Sequence, residues 1–311
     1  MYPLKFKPVY FEKIWGGRGL EKFKKHLPKG NIGESWELSC HKNGLSIIEN
    51  GFYKGKTLKE VIKIEGEKLL GKNVHLENFP ILIKFISAED NLSIQVHPNN
   101  EYAKAVENEN GKSELWYILK AENSSNIILG TKPCSKGEFK NGIISGNLEK
   151  YLNVINVKEG EAYYVNAGLV HAIGSGIVLV EIQQSSDITY RVYDYNRGRK
   201  IHINKALDVI NLNILGERLK ERKEILKGYN KTKYGEMEYF SVEKYEINGV
   251  LQEESSERSF YVYICIEGKG IVAYNNNEER LECGEVVLIP ATLGKYYISG
   301  NLTILKVIMN V

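Results

Sequence analysis

The sequence predicts a mainly β protein, arranged as two antiparallel β-barrels with a few short inserted helices. Eight short segments are rich in valine, isoleucine and tyrosine and are bounded by glycine, asparagine or charged turns, as strands are. Their close spacing favours antiparallel barrels over a parallel α/β sheet. Twenty tyrosines suit half-buried sheet surfaces, and one internal repeat indicates that the barrel occurs twice.

The predicted elements follow from local patterns. Thr57 can cap a helix over residues 57–70, because Glu60 lies three positions later and completes a capping box. Two shorter helices are predicted over residues 101–107 and 204–212. The predicted strands span residues 81–87, 115–119, 126–129, 161–165, 176–182, 261–266, 270–274 and 286–289.

The internal repeat aligns residues 160–171 with residues 284–295 without gaps. Each copy begins with a Gly-Glu pair entering a strand, as a hairpin in a small barrel requires. Two hairpins can look alike by chance, but both halves keep the same order of pieces. We therefore predict a first barrel over residues 1–215, a lysine-rich linker over 216–235, and a second barrel over 236–311.

The two copies differ at positions that can bind metal. The first copy has His171 where the second has Lys295, and the upstream alignment places Glu114 opposite Phe260. Only the first half is therefore expected to keep metal-binding side chains, and the second is expected to be metal-free and structural.

Composition excludes few functions, but it gives no indication of a nucleic-acid or membrane partner. The chain of 311 residues has 42 basic and 39 acidic residues, a net charge of +3, so nothing demands a nucleic acid or an anionic membrane as partner. The four cysteines form no C-x-x-C pair, which favours reduced thiols in a cytoplasmic protein. We expect no secretory signal and no membrane span, since the amino terminus lacks an apolar core and no stretch of about 18 apolar residues occurs.

A candidate metal site emerges from strand alternation. Gln95 and His97 lie two residues apart and therefore share one face of a strand, as do Lys112 and Glu114. His171 ends the first Gly-Glu hairpin. Imidazole, carboxylate and amide donors together describe a Zn²⁺ or similar divalent site, although each residue alone is more often an ordinary strand or surface residue.

Several motifs resemble those of type I mannose-6-phosphate isomerases. They occupy residues 14–17, 33–39, 92–99, 111–117, 168–174 and 181–195, and the likeness is looser through the carboxyl-terminal third. The resemblance, to the short bacterial form, implies a pair of cupin (jelly-roll) barrels. It also implies zinc held by Gln95, His97, Glu114 and His171, a catalytic Arg191 and an active-site Lys112.

By this resemblance, the chain would interconvert mannose 6-phosphate and fructose 6-phosphate through an enediolate. Arg191 would stabilise the enediolate or orient the substrate. The general base stays open among Lys112, Glu181 and Asp187. Ser93 is our first candidate for the phosphate, with Lys112 or Arg191 shared, and Glu37 is a candidate for the pocket lining.

Two other functions fit the same residues. A cupin dioxygenase would use iron in the same ligands, and a non-enzymatic sugar-binding cupin would need no catalysis. The pairing of Lys112 with Arg191 favours an anionic sugar and hence the isomerase. The sequence predicts nothing about the oligomeric state.

Overall fold

The chain folds mainly into β-strands in a computed structural model that describes residues 1–24 and 26–310. The mainly β prediction is confirmed. In chain order, the strands are β1 (Leu4–Lys7), β2 (Val9–Gly17), β3 (Ile32–Leu38), β4 (Ile47–Ile48), β5 (Ile81–Ala88), β6 (Ile94–Val96), β7 (Glu114–Ala121), β8 (Asn126–Thr131), β9 (Leu152–Asn156), β10 (Ala162–Val165), β11 (His171–Ile173), β12 (Ile177–Gln184), β13 (Tyr190–Tyr193), β14 (Arg222–Leu226), β15 (Tyr229–Glu236), β16 (Phe240–Ile247), β17 (Val250–Glu254), β18 (Tyr261–Tyr274), β19 (Asn277–Glu282), β20 (Val286–Ile289) and β21 (Lys295–Met309).

Five α-helices connect these strands: α1 (Leu58–Glu65), α2 (Glu67–Leu70), α3 (Asn100–Glu107), α4 (Lys136–Ser145) and α5 (Ile203–Val209). Short 3₁₀ turns occupy Gly19–Lys22 and Leu148–Tyr151. The predicted capping box of Thr57 and Glu60 is present, but the predicted helix breaks at Gly66, whose φ is 53°. No helix among the described residues is long and apolar enough to cross a membrane.

The first half is a sandwich of two sheets. One sheet has the order β10-β7-β12-β5-β3-β2, and the other has the order β13-β6-β11-β8-β9. A buried cluster that includes Trp116, Ile127, Leu129 and Leu179 fills the space between them. Across the described residues no sheet closes on itself, so the predicted barrels are open sandwiches.

Among the described residues, the second half contributes eight strands, β14 to β21, to a ten-stranded sheet whose other two strands are β1 and β4. The long strands β18 and β21 pair over most of their length and bend at a register shift between Cys265 and Glu267. Residues 216–235, predicted as a linker, instead contribute β14 and most of β15, which extend this sheet through β16. β1 also joins the second half, because Leu4 pairs with Leu288 of β20.

The repeated hairpins adopt matching geometry. Gly160 and Gly284 have φ values of 87° and 85°. In the first half Tyr163 pairs with Trp116, and in the second Val287 pairs with Tyr263. The register therefore makes Tyr261 the counterpart of Glu114. The predicted counterpart, Phe260, is one residue off, because matching sequence letters does not fix strand pairing.

Candidate metal centre

Three predicted ligands converge between the two sheets of the first half. His97 follows β6, Glu114 begins β7 and His171 begins β11, and all three are buried. Their donor atoms lie within 4.8 Å of one another. The His97 and His171 Nε2 atoms are 3.1 Å apart, and each lies 3.6–3.7 Å from a Glu114 oxygen.

The two histidines of this cluster are in the neutral form that can bind a metal cation. Burial lowers the pKa of His171 to about 4 and that of His97 well below its usual value, so both imidazoles are neutral near pH 7. The His171 Nδ1–H donates to the Leu169 carbonyl at 2.8 Å, which leaves the Nε2 lone pair free. At this separation, both Nε2 lone pairs could be donated to one metal ion.

The Glu114 carboxylate gives the clearest test of fit. Both of its oxygens are buried and accept no hydrogen bond of good geometry, an arrangement that is costly unless a cation compensates it. Two imidazoles and a carboxylate match a catalytic zinc set that keeps a position open. Nitrogens each about 2.0–2.1 Å from a tetrahedral zinc would lie roughly 3.3 Å apart, close to the observed separation.

Gln95 lies next to this cluster. Its Cα is paired with that of His171 on one side and with that of Arg191 on the other. Residues paired directly across antiparallel strands project from the same face. Gln95 is therefore on the site face, where its amide oxygen is the predicted fourth donor.

Lys112 stands between the cluster and a second buried carboxylate. Its Nζ lies 2.9 Å from Glu114 Oε2, 3.2 Å from His97 Nε2 and 3.8 Å from Glu181 Oε1. Burial raises the pKa of Glu114 to about 7, with a further increase from Glu181, against the opposing effect of Lys112. The predicted active-site lysine is thus in contact with a predicted ligand.

A buried ion pair behind Lys112 was not predicted from the sequence. Lys84 Nζ lies 2.9 Å from Glu181 Oε1, and Trp116 Nε1 donates to Glu181 Oε2 at 3.1 Å. Burial opposes ionisation of Glu181, but Lys112 and Lys84 outweigh it and lower its pKa to about 2. Glu181 is therefore a fixed negative charge and a weak base.

The predicted arginine and serine meet one strand away. Arg191 Nε donates to Ser93 Oγ at 3.1 Å, and its Nη1 donates to the Lys200 carbonyl at 3.0 Å. Arg191 is half-buried, and burial lowers its pKa, which still leaves a cation. The guanidinium is therefore held on β13, the strand that pairs with β6 and its Gln95.

Two predicted site residues lie away from this cluster. Asp187 is exposed and accepts a hydrogen bond from Asn43 at 2.8 Å. Glu37 is buried on the opposite face of β3, where it pairs with Lys24 at 2.7 Å. The structure thus brings neither Asp187 nor Glu37 into contact with the predicted ligands.

β3 sends a different carboxylate toward the site. Glu34 accepts a hydrogen bond from Trp36 Nε1 at 2.8 Å, and Lys84 Nζ lies 5.2 Å from the centre of the Trp36 ring. Burial would raise the pKa of Glu34, but Lys84 and Lys13 lower it. Because side chains alternate along a strand, Glu34 and Glu37 project from opposite faces of β3. This alternation could have distinguished them in the sequence.

Comparisons with known proteins agree with this geometry. A family model described as "Phosphomannose isomerase type I, catalytic domain" matches residues 4–130, and "Mannose-6-phosphate isomerase, cupin domain" matches residues 230–309. The chain is 38% identical over 305 residues to the mannose-6-phosphate isomerase ManA of Bacillus subtilis (strain 168), covering 96% of each chain. It is 36% identical over 310 residues to the mannose-6-phosphate isomerase of Streptococcus mutans, covering 97% of each.

Solved structures give the same result for the fold. The mannose 6-phosphate isomerase from Bacillus subtilis superposes with a TM-score of 0.93 at 36% identity, covering 99% of each chain. A zinc-bound mannose 6-phosphate isomerase superposes with a TM-score of 0.83 at 16% identity over the whole of both chains, a likeness of fold. Because the curated relatives match over almost their whole length, the chain belongs to the type I mannose-6-phosphate isomerase family.

Proposed function

We propose that this protein interconverts mannose 6-phosphate and fructose 6-phosphate with a zinc ion held by His97, Glu114, His171 and Gln95. The observation that carries the proposal is the convergence of two neutral imidazoles and a buried carboxylate on one point. A purely structural role would not require three potential metal donors to be buried within 4.8 Å of one another. Family membership supports the substrate pair.

The reaction moves a proton from C2 of the open-chain sugar to C1 through an enediolate. A bound zinc ion would supply Lewis-acid stabilisation of negative charge on the oxygens of these two carbons. The protein must also place a cation near that charge and keep it there. Arg191 does so, because its contacts with Ser93 and Lys200 fix the guanidinium before substrate arrives.

Lys112 is the group we assign to proton movement. Of the three candidates, Asp187 is exposed at a distance from the ligands, and Glu181 is held ionised by Lys84 and Lys112. Lys112 Nζ instead lies beside His97 and Glu114, where the reacting carbons would bind. Lys84 and Glu181 then act as positioning residues, which hold the lysine against the cluster.

The proposal is tested by measuring fructose 6-phosphate formed from mannose 6-phosphate in a coupled assay. The metal content of each sample is determined alongside. We expect chelation to abolish turnover and one zinc per chain to restore it. The exposed His75 supplies a matched control, because His75→Gln should keep both zinc and activity. Full turnover by metal-free protein would contradict the proposal.

The same assay separates the isomerase from its two alternatives. A dioxygenase would require iron and consume oxygen, whereas the isomerase should run at equal rates in air and under argon. A sugar-binding protein would show no turnover in either gas. We propose a cytoplasmic location, which the four free cysteines support, and we propose no nucleic-acid partner.

A further inference from the structure

A cavity of about 780 Å³ opens between helix α1, the segment after β3 and the segment after helix α3. None of the predicted metal ligands lines it. Its floor is apolar, with Ile62 and Phe79, and its walls carry more positive than negative charge. The charged lining residues are Lys42, Lys59, Lys63, Lys104, Glu77 and Glu109.

Most of these lysines have no acidic partner. Lys59, Lys63 and Lys104 form no ion pair with any residue in 1–24 or 26–310. Only Lys42 is paired, 2.6 Å from Glu109 Oε1, and the other Glu109 oxygen lies 3.4 Å from His41 Nε2. Three unpaired ammonium groups around one cavity create a field that attracts anions.

The cavity wall and the metal centre share their supporting segments. Asn110 lines the cavity two residues before Lys112, and its amide donates to the Ser185 carbonyl at 3.2 Å. Ser185 in turn lies on the connection between the strands of Glu181 and Arg191.

An aromatic ring also connects the two places. The Trp36 ring centre is 6.0 Å from that of His41, which lines the cavity, and 5.2 Å from Lys84 Nζ, which contacts Glu181. A ligand in the cavity would therefore touch the framework that positions the catalytic groups.

We propose that this cavity binds the phosphate group of a phosphorylated sugar outside the metal centre. The inference rests on the proposed function, which supplies a dianionic substrate. Lysine ammonium groups bind phosphate oxygens through charge-assisted hydrogen bonds. The phosphate belongs either to substrate captured on its way to the metal or to a second molecule that acts as an effector.

The first test is kinetic and uses the two lysines of helix α1. K59E/K63E should lower kcat/KM for mannose 6-phosphate about tenfold at low salt, the lower end of electrostatic steering. The deficit should shrink toward 1 M salt, where the Debye length falls to about 3 Å. The matched control is K140E/K158E, which reverses two exposed lysines outside the cavity and should behave as wild type.

The second test does not depend on turnover. Inorganic phosphate is titrated calorimetrically into the zinc-loaded protein, its K59E/K63E and K140E/K158E variants, and Arg191→Ala, which removes the catalytic guanidinium. We expect a phosphate site that survives in R191A and in the control but weakens at least tenfold in K59E/K63E. If the wild type proved inactive, this titration would still test the cavity.

Inhibition of the wild-type enzyme by inorganic phosphate shows whether the cavity binds the phosphate of the substrate or that of an effector. Inhibition that raises only KM and weakens in K59E/K63E assigns the cavity to the substrate, whereas a change in kcat assigns it to an effector. Equal phosphate affinity and equal kcat/KM in K59E/K63E and K140E/K158E would overturn the proposal.

Discussion

The two halves of the molecule place opposite chemistry at equivalent positions. In the first half Trp116 and Lys84 are paired across strands with Glu181. In the second half Tyr263 and Glu243 are paired with Lys306 in the same order. A buried carboxylate flanked by lysine in one half thus becomes a buried lysine flanked by glutamate in the other.

The ligand positions diverge as well. Tyr261 and Lys295 take the places of Glu114 and His171, so the second half has lost its neutral lone-pair donors. Several of its buried polar groups contact one another instead: Lys306 lies 2.9 Å from Glu253, and the Tyr263 and Tyr296 hydroxyls lie 2.8 Å apart. The difference shows that both halves keep polar interior positions, and that among the described residues the cluster of three potential metal donors lies in the first half.

Removing a ligand should have the largest effect. His171→Ala deletes one of the buried nitrogens at the cluster, so we expect loss of bound zinc and a fall in turnover of more than about 10³-fold, beyond the cost of one electrostatic donor. Metal analysis and the coupled assay measure the two losses. Lys295→Ala, the equivalent change in the second half, should leave zinc content and turnover unchanged. A similar loss in K295A would contradict the assignment of the metal ligands to the first half.

Substitution of Arg191 should have the next largest effect. Arg191→Ala should reduce kcat about 10²–10³-fold, the usual cost of removing one preorganised donor. Zinc should stay bound, since the guanidinium contacts Ser93 and Lys200 and no predicted ligand is removed. The exposed Arg222 gives a control in R222A, and near-normal kcat in zinc-loaded R191A would remove Arg191 from the mechanism.

The ion pair between Lys306 and Glu253 in the second half allows stability to be tested separately from catalysis. Lys306→Met leaves the Glu253 carboxylate, with 17% of its side chain exposed, without its cation. Breaking such a pair costs about 3 kcal/mol, the low end for buried charges because Glu253 keeps some solvent. Denaturant unfolding measures this loss, while kcat of the folded protein should not change.

Two further variants sharpen the Lys306 result. Lys84→Met in the first half should lower both stability and kcat, because Lys84 holds Glu181 beside Lys112. K306M/E253Q should recover part of the stability lost in K306M, since the uncompensated charge is gone. A reduced kcat in K306M would show that the second half takes part in catalysis.

Alternation and family motifs predicted the donors of the site but not its supporting residues. Gln95, His97 and Glu114 could be proposed because each lies in or next to a short strand and matches a family motif. Lys84 was missed because it interrupts an apolar run, where a lysine suggests a solvent-facing position. β5 is in fact buried on both faces, so its lysine needed a buried carboxylate, and Glu181 lies more than ninety residues away.

Two assignments differ from the structure for a common reason. Glu37 was named as a pocket candidate and Phe260 as the counterpart of Glu114, although strand pairing decides which side chain faces inward. β3 carries a register shift between Trp36 and Leu38, which changes the alternation next to Glu37. Such irregularities depend on the neighbouring strand and cannot be deduced from one segment alone.

The last comparison between the halves concerns the two repeated glycines, Gly160 and Gly284. Both have positive φ, so alanine should cost about 1–2 kcal/mol at either position. An added Cβ at Gly160 meets nothing within 4 Å, whereas one at Gly284 would lie 1.8 Å from the Phe23 carbonyl oxygen. Gly284→Ala should therefore lose about 1–3 kcal/mol more, because backbone must shift to relieve the overlap. Urea unfolding of the two variants measures the difference, and equal losses would mean that the contact of Gly284 with Phe23 adds no constraint between the halves.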